Sequence, residues 1–479
     1  MKPISFLDFR PAPGQVTEWT VDPATAAAAR SAPTDPEPLS YNQQLHLQSA
    51  LVAAQTGLPG NPWIGVAFEI DGPANLDALG QAFSSWLRRH ETLRGGFRWQ
   101  DQQVQRFTLP AEAIALQRGP VRDFAEVEEL HAHLEARFAG SIDPFAWPAL
   151  VVGVISRPSR STVFVALDHV AGDGYSLALA VWELQATYQA ILQDEAPALP
   201  EIGSFREHCL AERAAGESVA ADDPAVEVWR EFIAACGGTA PTFPIDLGVQ
   251  TGQAWPQRVH NRLLLSPEGA AAFESLVRAA GGGMFAGLLA AMAIAVQEMT
   301  GQQEFRTITP LHTRHKPELQ PAMGWFITCA PVEFSLAGAA NFTEVLARAK
   351  ASVASAVGMA GYPALRMIEL LGEDFQITRR DLFSMVSYTD YRKLPGAQRY
   401  QEWNSITIGQ VTEADDSHVW MSRLFDGLHL AVRHPDTPIA AGLLDAYVER
   451  IQAVLGRVIV AGDYLLPDQV ARAAQVAAG

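Results

Sequence analysis

The stretch VALDHVAGDG, residues 165–174, places one histidine and two aspartates at the end of an apolar run. An imidazole has an unperturbed pKa of about 6.5, so near neutral pH His169 could act as a general base toward an attacking hydroxyl or amine. The same string also has a structural interpretation, in which His169 bonds a carbonyl at a strand end and Asp173 caps the following helix. The string by itself leaves both interpretations open.

A strand and a helix must position these side chains. STVFVALDH (161–169) is apolar and β-branched, and its period of two places His169 on one face and Asp168 on the other. Asp168 is therefore not expected to hold the ring of His169, although the two residues are adjacent. YSLALAVWELQATYQAIL (175–192) follows as a long helix, which begins at about Asp173–Gly174.

The whole chain has the pattern of a two-lobed α/β protein. Strands and helices mix in both halves of the 479 residues, and one hydrophobic core rarely serves more than roughly 250–300 residues. We predict an irregular N-terminal arm over 1–38, an N-terminal lobe over 39–195 and a C-terminal lobe over 196–479. The acidic, proline-rich DEAPALPE (194–201) is the expected linker between the lobes.

Composition excludes several classes of protein. The net charge of −18 argues against a nucleic-acid partner, which needs a clustered basic face. The most apolar window, 284–296, is too short to span a membrane and predicts a buried helix. Cys209, Cys236 and Cys329 are widely spaced, which fits a reducing compartment and no metal site. With no secretory signal at the N-terminus, we expect a cytoplasmic protein.

Three further strings stand in a definite order around the histidine: SYNQ at 40–43, RHETLRGGF at 89–97, and MGWFITCAPV at 323–332, preceded by TITPLHTR. Together the four strings resemble the condensation-domain superfamily, which includes nonribosomal peptide condensation domains, chloramphenicol acetyltransferase and polyketide-associated acyltransferases. In condensation domains the corresponding strings read S-x-A-Q, R-H-E-x-L-R-T-x-F, H-H-x-x-x-D-G and x-G-x-F-V-N-T. The resemblance covers residues about 39 to 455.

This resemblance implies two chloramphenicol acetyltransferase-like lobes that form a V-shaped pseudo-dimer with a tunnel at their junction. It makes His169 the active-site histidine, Asp173 a buried structural carboxylate and Gly174 a close-packing glycine. Arg314 is the expected partner of Asp173 in supporting the active-site loop. Three residues are candidates for the tunnel lining: Ser40, Gln43 and Trp325.

The function implied by the resemblance is acyl transfer from a phosphopantetheine thioester, on coenzyme A or a carrier protein, to an alcohol or amine. We expect a stand-alone, monomeric enzyme without a bound cofactor, acting on a small-molecule, lipid or sugar acceptor with His169 as base. One alternative is a free-standing condensation enzyme that joins two carrier-bound intermediates by an ester or amide bond. Another is a catalytically silent relative that recruits partner proteins.

Two departures from the family pattern narrow the branch. Asp168 replaces the first of the two histidines, and its side chain is expected to face away from the tunnel and to support the loop. The D-F-G-W-G signature of plant acyltransferases is absent, since the late strand reads NSITIGQ (404–410). The D-H-x-x-x-D-G form and the proline-rich arm favour a polyketide-associated acyltransferase.

Overall fold

The computed structural model of the protein describes residues 1–56, 63–250, 252–380 and 382–466. The chain forms two compact units, each built from three segments. Unit 1 consists of Met1–Ser218, His312–Ile327 and Lys393–Thr412. Unit 2 consists of Val219–Leu311, Thr328–Arg392 and Glu413–Gly479, the last of which is described as far as residue 466.

Strands and helices occur throughout both units. The strands are β1 (Lys2–Ser5), β2 (Gln15–Val21), β3 (Trp63–Asp71), β4 (Gly95–Gln100), β5 (Gln103–Thr108), β6 (Leu116–Arg118), β7 (Arg122–Asp123), β8 (Leu150–Ser156), β9 (Arg160–Asp168), β10 (Trp255–Leu265), β11 (Glu304–His312), β12 (Ile327–Ser335), β13 (Met385–Asp390), β14 (Ile406–Gly409), β15 (Glu413–Ala414), β16 (His418–Leu424) and β17 (Gly427–Pro435). The helices are α1 (Pro23–Ser31), α2 (Tyr41–Thr56), α3 (Leu76–Arg89), α4 (Glu91–Arg94), α5 (Val127–Ser141), α6 (Gly174–Leu192), α7 (Phe205–Glu217), α8 (Pro224–Ala235), α9 (Pro267–Ala279), α10 (Met284–Thr300), α11 (Phe342–Gly358), α12 (Ala364–Leu371) and α13 (Ala440–Ala461).

The sheet of unit 1 places β9, the strand that leads to His169, near its centre. The strand order is β1-β14-β3-β9-β8-β2-β6, with β7 also paired to β2. β9 runs antiparallel to both β3 and β8, and its residues from Ser161 to Asp168 are buried. An apolar strand without polar alternation is expected where both faces of a sheet are covered. β9 therefore fixes the backbone from which the 3₁₀ turn His169–Ala171 begins.

Helix α6 follows this turn and packs against α3 in the same unit. Its N-terminus is capped by Asp173, whose Oδ1 accepts a hydrogen bond from the Ser176 N–H at 2.8 Å, as the sequence predicts. Most of the helix is buried, as expected where apolar residues cover most of its circumference. The turn is thus held between a buried strand and a buried helix.

The predicted irregular arm over residues 1–38 is wrong for much of its length. β1 pairs in parallel with β14, and β2 pairs with β8, β6 and β7, so both strands belong to the unit 1 sheet. α1 is capped by Asp22, whose Oδ1 accepts from the Thr25 N–H at 2.7 Å. The side chains of Phe6 and Phe9 are buried in the core. Because the partner of β1 lies near the other end of the chain, the residues around β1 contain no sequence pattern from which this pairing could be predicted.

The predicted lobes, 39–195 and 196–479, also differ from the observed units. α7 follows the predicted linker and lies in unit 1, whose first segment ends at Ser218. Two later segments, 312–327 and 393–412, belong to unit 1 as well. The second of these contains β14, which pairs with β1 and β3. The chain returns twice to the first unit, which a single boundary in the sequence cannot describe.

Unit 2 has its own mixed sheet, with the strand order β12-β11-β13-β16-β17-β10-β15. Helix α10 contains the apolar window 284–296, and nearly all of that window is buried, as predicted. Within the described residues, no single helix has both the length and the apolar character needed to cross a membrane, although α9 and α10, bent by 98°, meet those criteria as a pair.

Two units that each combine a mixed sheet with helices confirm the predicted α/β class and two-lobed organisation. The V-shaped arrangement and the tunnel at the lobe junction stay predictions. The cytoplasmic location and the monomeric state also stay predictions.

The N-terminal segment should contribute strongly to stability. The Phe6 ring is 3% exposed and lies 5.5 Å from the ring of Trp63 and 5.6 Å from that of Phe138, between centroids. We expect Phe6→Ala to lower the free energy of unfolding by about 3–5 kcal/mol, measured by urea unfolding. The exposed neighbour Asp8 is the control, and Asp8→Ala should change it by less than about 0.5 kcal/mol. Equal effects of the two substitutions would contradict a core role for this segment.

Candidate active site

The 3₁₀ turn His169–Ala171 is fixed by hydrogen bonds from two directions. Asp168 Oδ1 accepts from the Val170 N–H at 2.9 Å. The side-chain amide of Gln43, on α2, donates to the Val170 carbonyl at 3.3 Å. The imidazole of His169 therefore projects from a backbone with little conformational freedom.

The SYNQ string forms hydrogen bonds at the start of α2. Ser40 and Gln43 are 0% and 2% exposed, and their expected place in the tunnel lining stays a prediction. Ser40 Oγ accepts from the Gln43 N–H at 3.1 Å, and Gln43 Oε1 accepts from the Ser40 N–H at 3.3 Å. This reciprocal pair is a capping box that starts α2. Between them, the Asn42 amide donates to the Ile327 carbonyl at 2.6 Å.

Asp173 and Arg314 form the ion pair that the sequence predicts. Arg314 donates to the two carboxylate oxygens of Asp173 at 2.7 and 3.0 Å, and both residues are buried, at 1% and 2% exposed. Asp173 also accepts from the hydroxyl of Ser176 and from the Phe326 N–H. Arg314 donates in addition to the Gly324 carbonyl at 3.3 Å. The pair joins the start of α6 to the segment that follows β11.

The charge of Asp173 is maintained by its partner. Burial by itself raises the pKa of this carboxyl, but the positive charge and hydrogen bonds of Arg314, with hydrogen bonds from Ser176, outweigh burial and hold the pKa below its usual value. Asp173 is therefore ionised at neutral pH and supports the loop through its charge.

The predicted close-packing role of Gly174 is wrong, and another glycine has that role. Gly174 is exposed, and a Cβ built on it meets no atom within 4 Å. A Cβ on Gly324, in the MGWF string, would lie 2.3 Å from the Phe205 ring. Only glycine lets the loop backbone approach that ring so closely.

The RHETLRGGF string holds the same loop from another side. Arg89 Nε donates to Glu183 Oε1 at 3.1 Å, and His90 Nε2 donates to Glu183 Oε2 at 2.6 Å. The other ring nitrogen of His90 accepts from the Met323 N–H at 3.4 Å. Because Glu183 lies on α6, these bonds connect the end of α3 with α6 and the loop that contains Trp325.

Three aromatic rings cluster at the turn. The rings of His169 and Trp325 are 4.0 Å apart between centroids and inclined by 35°. The His46 ring, on α2, meets Trp325 edge-on at 5.5 Å and lies 6.4 Å from His169. His169 and Trp325 both remain partly exposed. Trp325 thus lies directly against the candidate base, while its place in a tunnel lining stays a prediction.

Asp168 supports the turn, as expected, and its partner is His46, which the sequence did not predict. Its Oδ1 accepts from His46 Nε2 at 2.7 Å as well as from the Val170 N–H. His46 and Asp168 are 7% and 1% exposed. One signal could have revealed His46: it follows Gln43 by three residues on α2, so both side chains share one helix face.

The electrostatic surroundings keep the His169 imidazole neutral. Burial and, next, the nearby His46 together lower its pKa to about 4, while its own backbone, Asp173 and Asp168 act in the opposite direction. Its Nδ1 is buried and has no hydrogen-bond partner among the described residues. At neutral pH the ring therefore has a free electron pair and can accept a proton. No three His, Cys, Asp or Glu side chains in the described part of the chain are grouped as metal ligands.

Comparison with known families decides what this arrangement belongs to. The model of the family described as Condensation domain matches residues 63–423. The chain belongs to the condensation-domain family.

Acyltransferases are among the similar members of this family. PapA1 of Mycobacterium bovis (strain BCG / Pasteur 1173P2), named 2'-acyl-2-O-sulfo-trehalose (hydroxy)phthioceranyltransferase, is 28% identical over 461 residues, which is 95% of this chain and 88% of PapA1. Among solved structures, PapA2 acyl transferase matches with a TM-score of 0.87 and 24% identity over 96% of this chain and 100% of that one. The starter condensation domain of rhizomide synthetase RzmA, in complex with C8-CoA, matches with a TM-score of 0.65 and 16% identity over 93% and 98% of the two chains.

These likenesses confirm the predicted family and its two-lobed condensation-domain fold, and Pap-type acyltransferases are among the similar proteins. The protein is an acyltransferase of this family. The role of each site residue is a separate question, because the likenesses concern the chain as a whole.

The ion pair inside this condensation-domain fold should be essential for stability. We expect Arg314→Met to lower the free energy of unfolding by about 3–5 kcal/mol at pH 7, because it leaves the buried Asp173 charge uncompensated. The control is the exposed pair Arg118–Asp77, where Arg118→Met should cost less than about 1 kcal/mol. Urea unfolding followed by circular dichroism measures both.

The same comparison at several pH values tests the charge state of Asp173. A carboxyl whose pKa is lowered on folding adds stability above its unfolded pKa of about 3.9, and that stability is lost as the pH falls through the folded pKa. In Arg314→Met the carboxyl lacks its partner and is expected to bind a proton more readily. The difference in the free energy of unfolding between wild type and Arg314→Met should therefore shrink as the pH falls from 7 toward 4. A difference that does not change with pH would contradict the assignment.

Proposed function

We propose that this protein transfers an acyl group from a phosphopantetheine thioester, carried by coenzyme A or by a carrier protein, to a hydroxyl group of a sugar or lipid. His169 acts as the general base. No bound cofactor takes part, and coenzyme A or the carrier is a substrate.

The observation that carries the proposal is the state of His169. Its pKa is lowered to about 4, so the imidazole is neutral at the pH of most cells. The residue is also partly exposed, so a substrate can approach it. A structural histidine at a strand end would instead be sealed in the core with both ring nitrogens hydrogen-bonded, whereas Nδ1 of His169 has no hydrogen-bond partner among the described residues.

The chemistry follows from this base. The imidazole removes the proton of the acceptor hydroxyl as its oxygen attacks the thioester carbonyl carbon. A carbon–oxygen bond forms, the carbon–sulfur bond breaks, and the imidazolium returns its proton to the leaving thiolate. Atoms and charges balance without any further reactant. A positioned base of this kind contributes roughly 10²–10⁴-fold to the rate.

The names of the similar proteins support the choice of substrates. PapA1 is named as a transferase of a phthioceranyl group to a sulfated trehalose, which supports a carbohydrate hydroxyl as acceptor. The RzmA domain was solved with C8-CoA, which supports a fatty acyl thioester as donor. An amine acceptor, as in a condensation enzyme, would give an amide and is the second outcome to look for.

Replacing the base tests the assignment. With an acyl-CoA or acyl-carrier donor and trehalose as acceptor, His169→Ala should lower kcat/KM by about 10²–10⁴-fold, measured by thiol release and by mass spectrometry of the ester. The control is His429→Ala, at a histidine of unit 2 that pairs with Asp426, and it should retain wild-type activity. Equal turnover by wild type and His169→Ala would remove His169 as the base.

The pH dependence provides an independent test. Since the pKa of His169 is lowered to about 4, the ring is deprotonated above that pH, and kcat/KM should rise through pH 4 and stay level toward pH 7. An ordinary imidazole would place that rise near about pH 6.5. Circular dichroism at each pH ensures that only folded enzyme is compared. A rise near 6.5 in folded enzyme would contradict the neutral, buried state of the ring.

A further inference from the structure

We propose that His46, held by Asp168, is a positioning residue for the acyl transfer and fixes the Trp325 ring against the imidazole of His169. The proposal rests on the proposed role of His169 as base. It adds a residue on α2 that stands outside all four sequence strings that identify the family.

His46 and Asp168 form a close hydrogen bond between two buried side chains of unit 1. Nε2 of His46 and Oδ1 of Asp168 are 2.7 Å apart, and the two residues are only 7% and 1% exposed. A buried carboxylate is stable only when it is paired or well hydrogen-bonded. His46 thus supplies the partner that lets a carboxylate replace the first histidine of the family pattern at position 168.

Support of the turn alone does not require His46. Asp168 Oδ1 already accepts from the Val170 N–H at 2.9 Å, which is sufficient to cap the turn. The bond to His46 has a further effect, because it orients the His46 imidazole on α2 toward the rings of Trp325 and His169. A residue present only to satisfy Asp168 would have no need to contact Trp325 as well.

The ring geometry connects His46 to the base through Trp325. His46 meets the Trp325 ring at 5.5 Å and 80°, and Trp325 in turn covers His169 at 4.0 Å. Edge-to-face aromatic contacts at such distances are favourable and directional. Trp325 is partly exposed and packs on one side against the apolar cluster that includes Phe205 and Phe326. His46 adds a ring contact to Trp325 next to His169.

The charged groups around His169 give the proposal a second consequence. His46 faces it from α2, Asp168 precedes it, and Asp173 lies at the start of α6 in its pair with Arg314. Burial is the main cause that lowers the pKa of His169, and His46 is the next. Removing His46 should therefore raise this pKa and move the acid limb of the activity profile to higher pH.

His46→Phe is the sharpest test, because it keeps a ring against Trp325 and removes the bond to Asp168. We expect kcat to fall by about 10-fold with the donor KM nearly unchanged, since positioning acts in the transition state. In protein labelled at histidine ring carbons, the NMR titration of His169, assigned with His169→Gln, should shift to higher pH. His46→Gln, which retains a donor for Asp168, should recover part of kcat.

Asp168→Asn tests whether the two residues act as one unit. It should reduce kcat about as much as His46→Phe, and the double variant should be no worse than either single one, because coupled residues are not additive. If Asp168→Asn fails to fold, His46→Phe alone decides, with its unfolding midpoint measured alongside.

The matched control is His133→Phe. His133 is also paired with a carboxylate, Glu18 at 3.1 Å, and also contacts an aromatic ring, Phe124 at 4.9 Å, but its partners lie on β2 and just before α5. This variant should leave kcat and the His169 titration unchanged. Wild-type kcat and titration in His46→Phe, with His169→Ala inactive, would overturn the positioning role while leaving the proposed function intact. Full activity of His169→Ala would instead overturn the proposed function.

Discussion

The buried ion pair between Arg314 and Asp173 is the interaction on which the geometry of the candidate site depends. Two charges withdrawn from water are stable only with close contact and further hydrogen bonds, and here Ser176, the Phe326 N–H and the Gly324 carbonyl provide them. The guanidinium also lies over the Phe326 ring, 4.4 Å from its centroid. These requirements can be met in few backbone conformations. The pair therefore determines the path of the loop that contains Trp325, and this path places the Trp325 ring against His169.

The other family strings support the same two short segments. The side-chain amide of Gln43 donates to the Val170 carbonyl in the turn, and Nδ1 of His90 accepts from the Met323 N–H in the loop. Buried polar groups in proteins are nearly always hydrogen-bonded, and these supporting side chains follow that rule. Nδ1 of His169 departs from it, since it is buried without a partner among the described residues. Departures from local satisfaction are expected where a residue serves function at some cost to stability.

The sequence predicted the parts of this site that are encoded locally or by ordered strings. A strand, a capped helix and the partner of Asp173 could be read in this way. The strand β1 could not, because its partner β14 is remote in the chain. Gly174 was assigned from its place in a string, whereas close packing depends on what faces a residue, and the glycine that meets a ring is Gly324. Ser40 and Gln43 were assigned to the tunnel lining from their string alone, and the string did not reveal their capping bonds or the bond from Gln43 to Val170.

His46 shows why substitution within a motif must be judged from its surroundings. An imidazole at position 168 could be buried neutral, whereas a carboxylate buried there must be matched by a hydrogen-bond donor. The match comes from α2 and contacts Trp325 as well as Asp168. A change of one motif residue is thereby linked to a residue outside the motif, and both lie next to His169. The proposed reaction requires a neutral, oriented imidazole at position 169, and the side chains next to His169 in this chain differ from those that the family pattern implies.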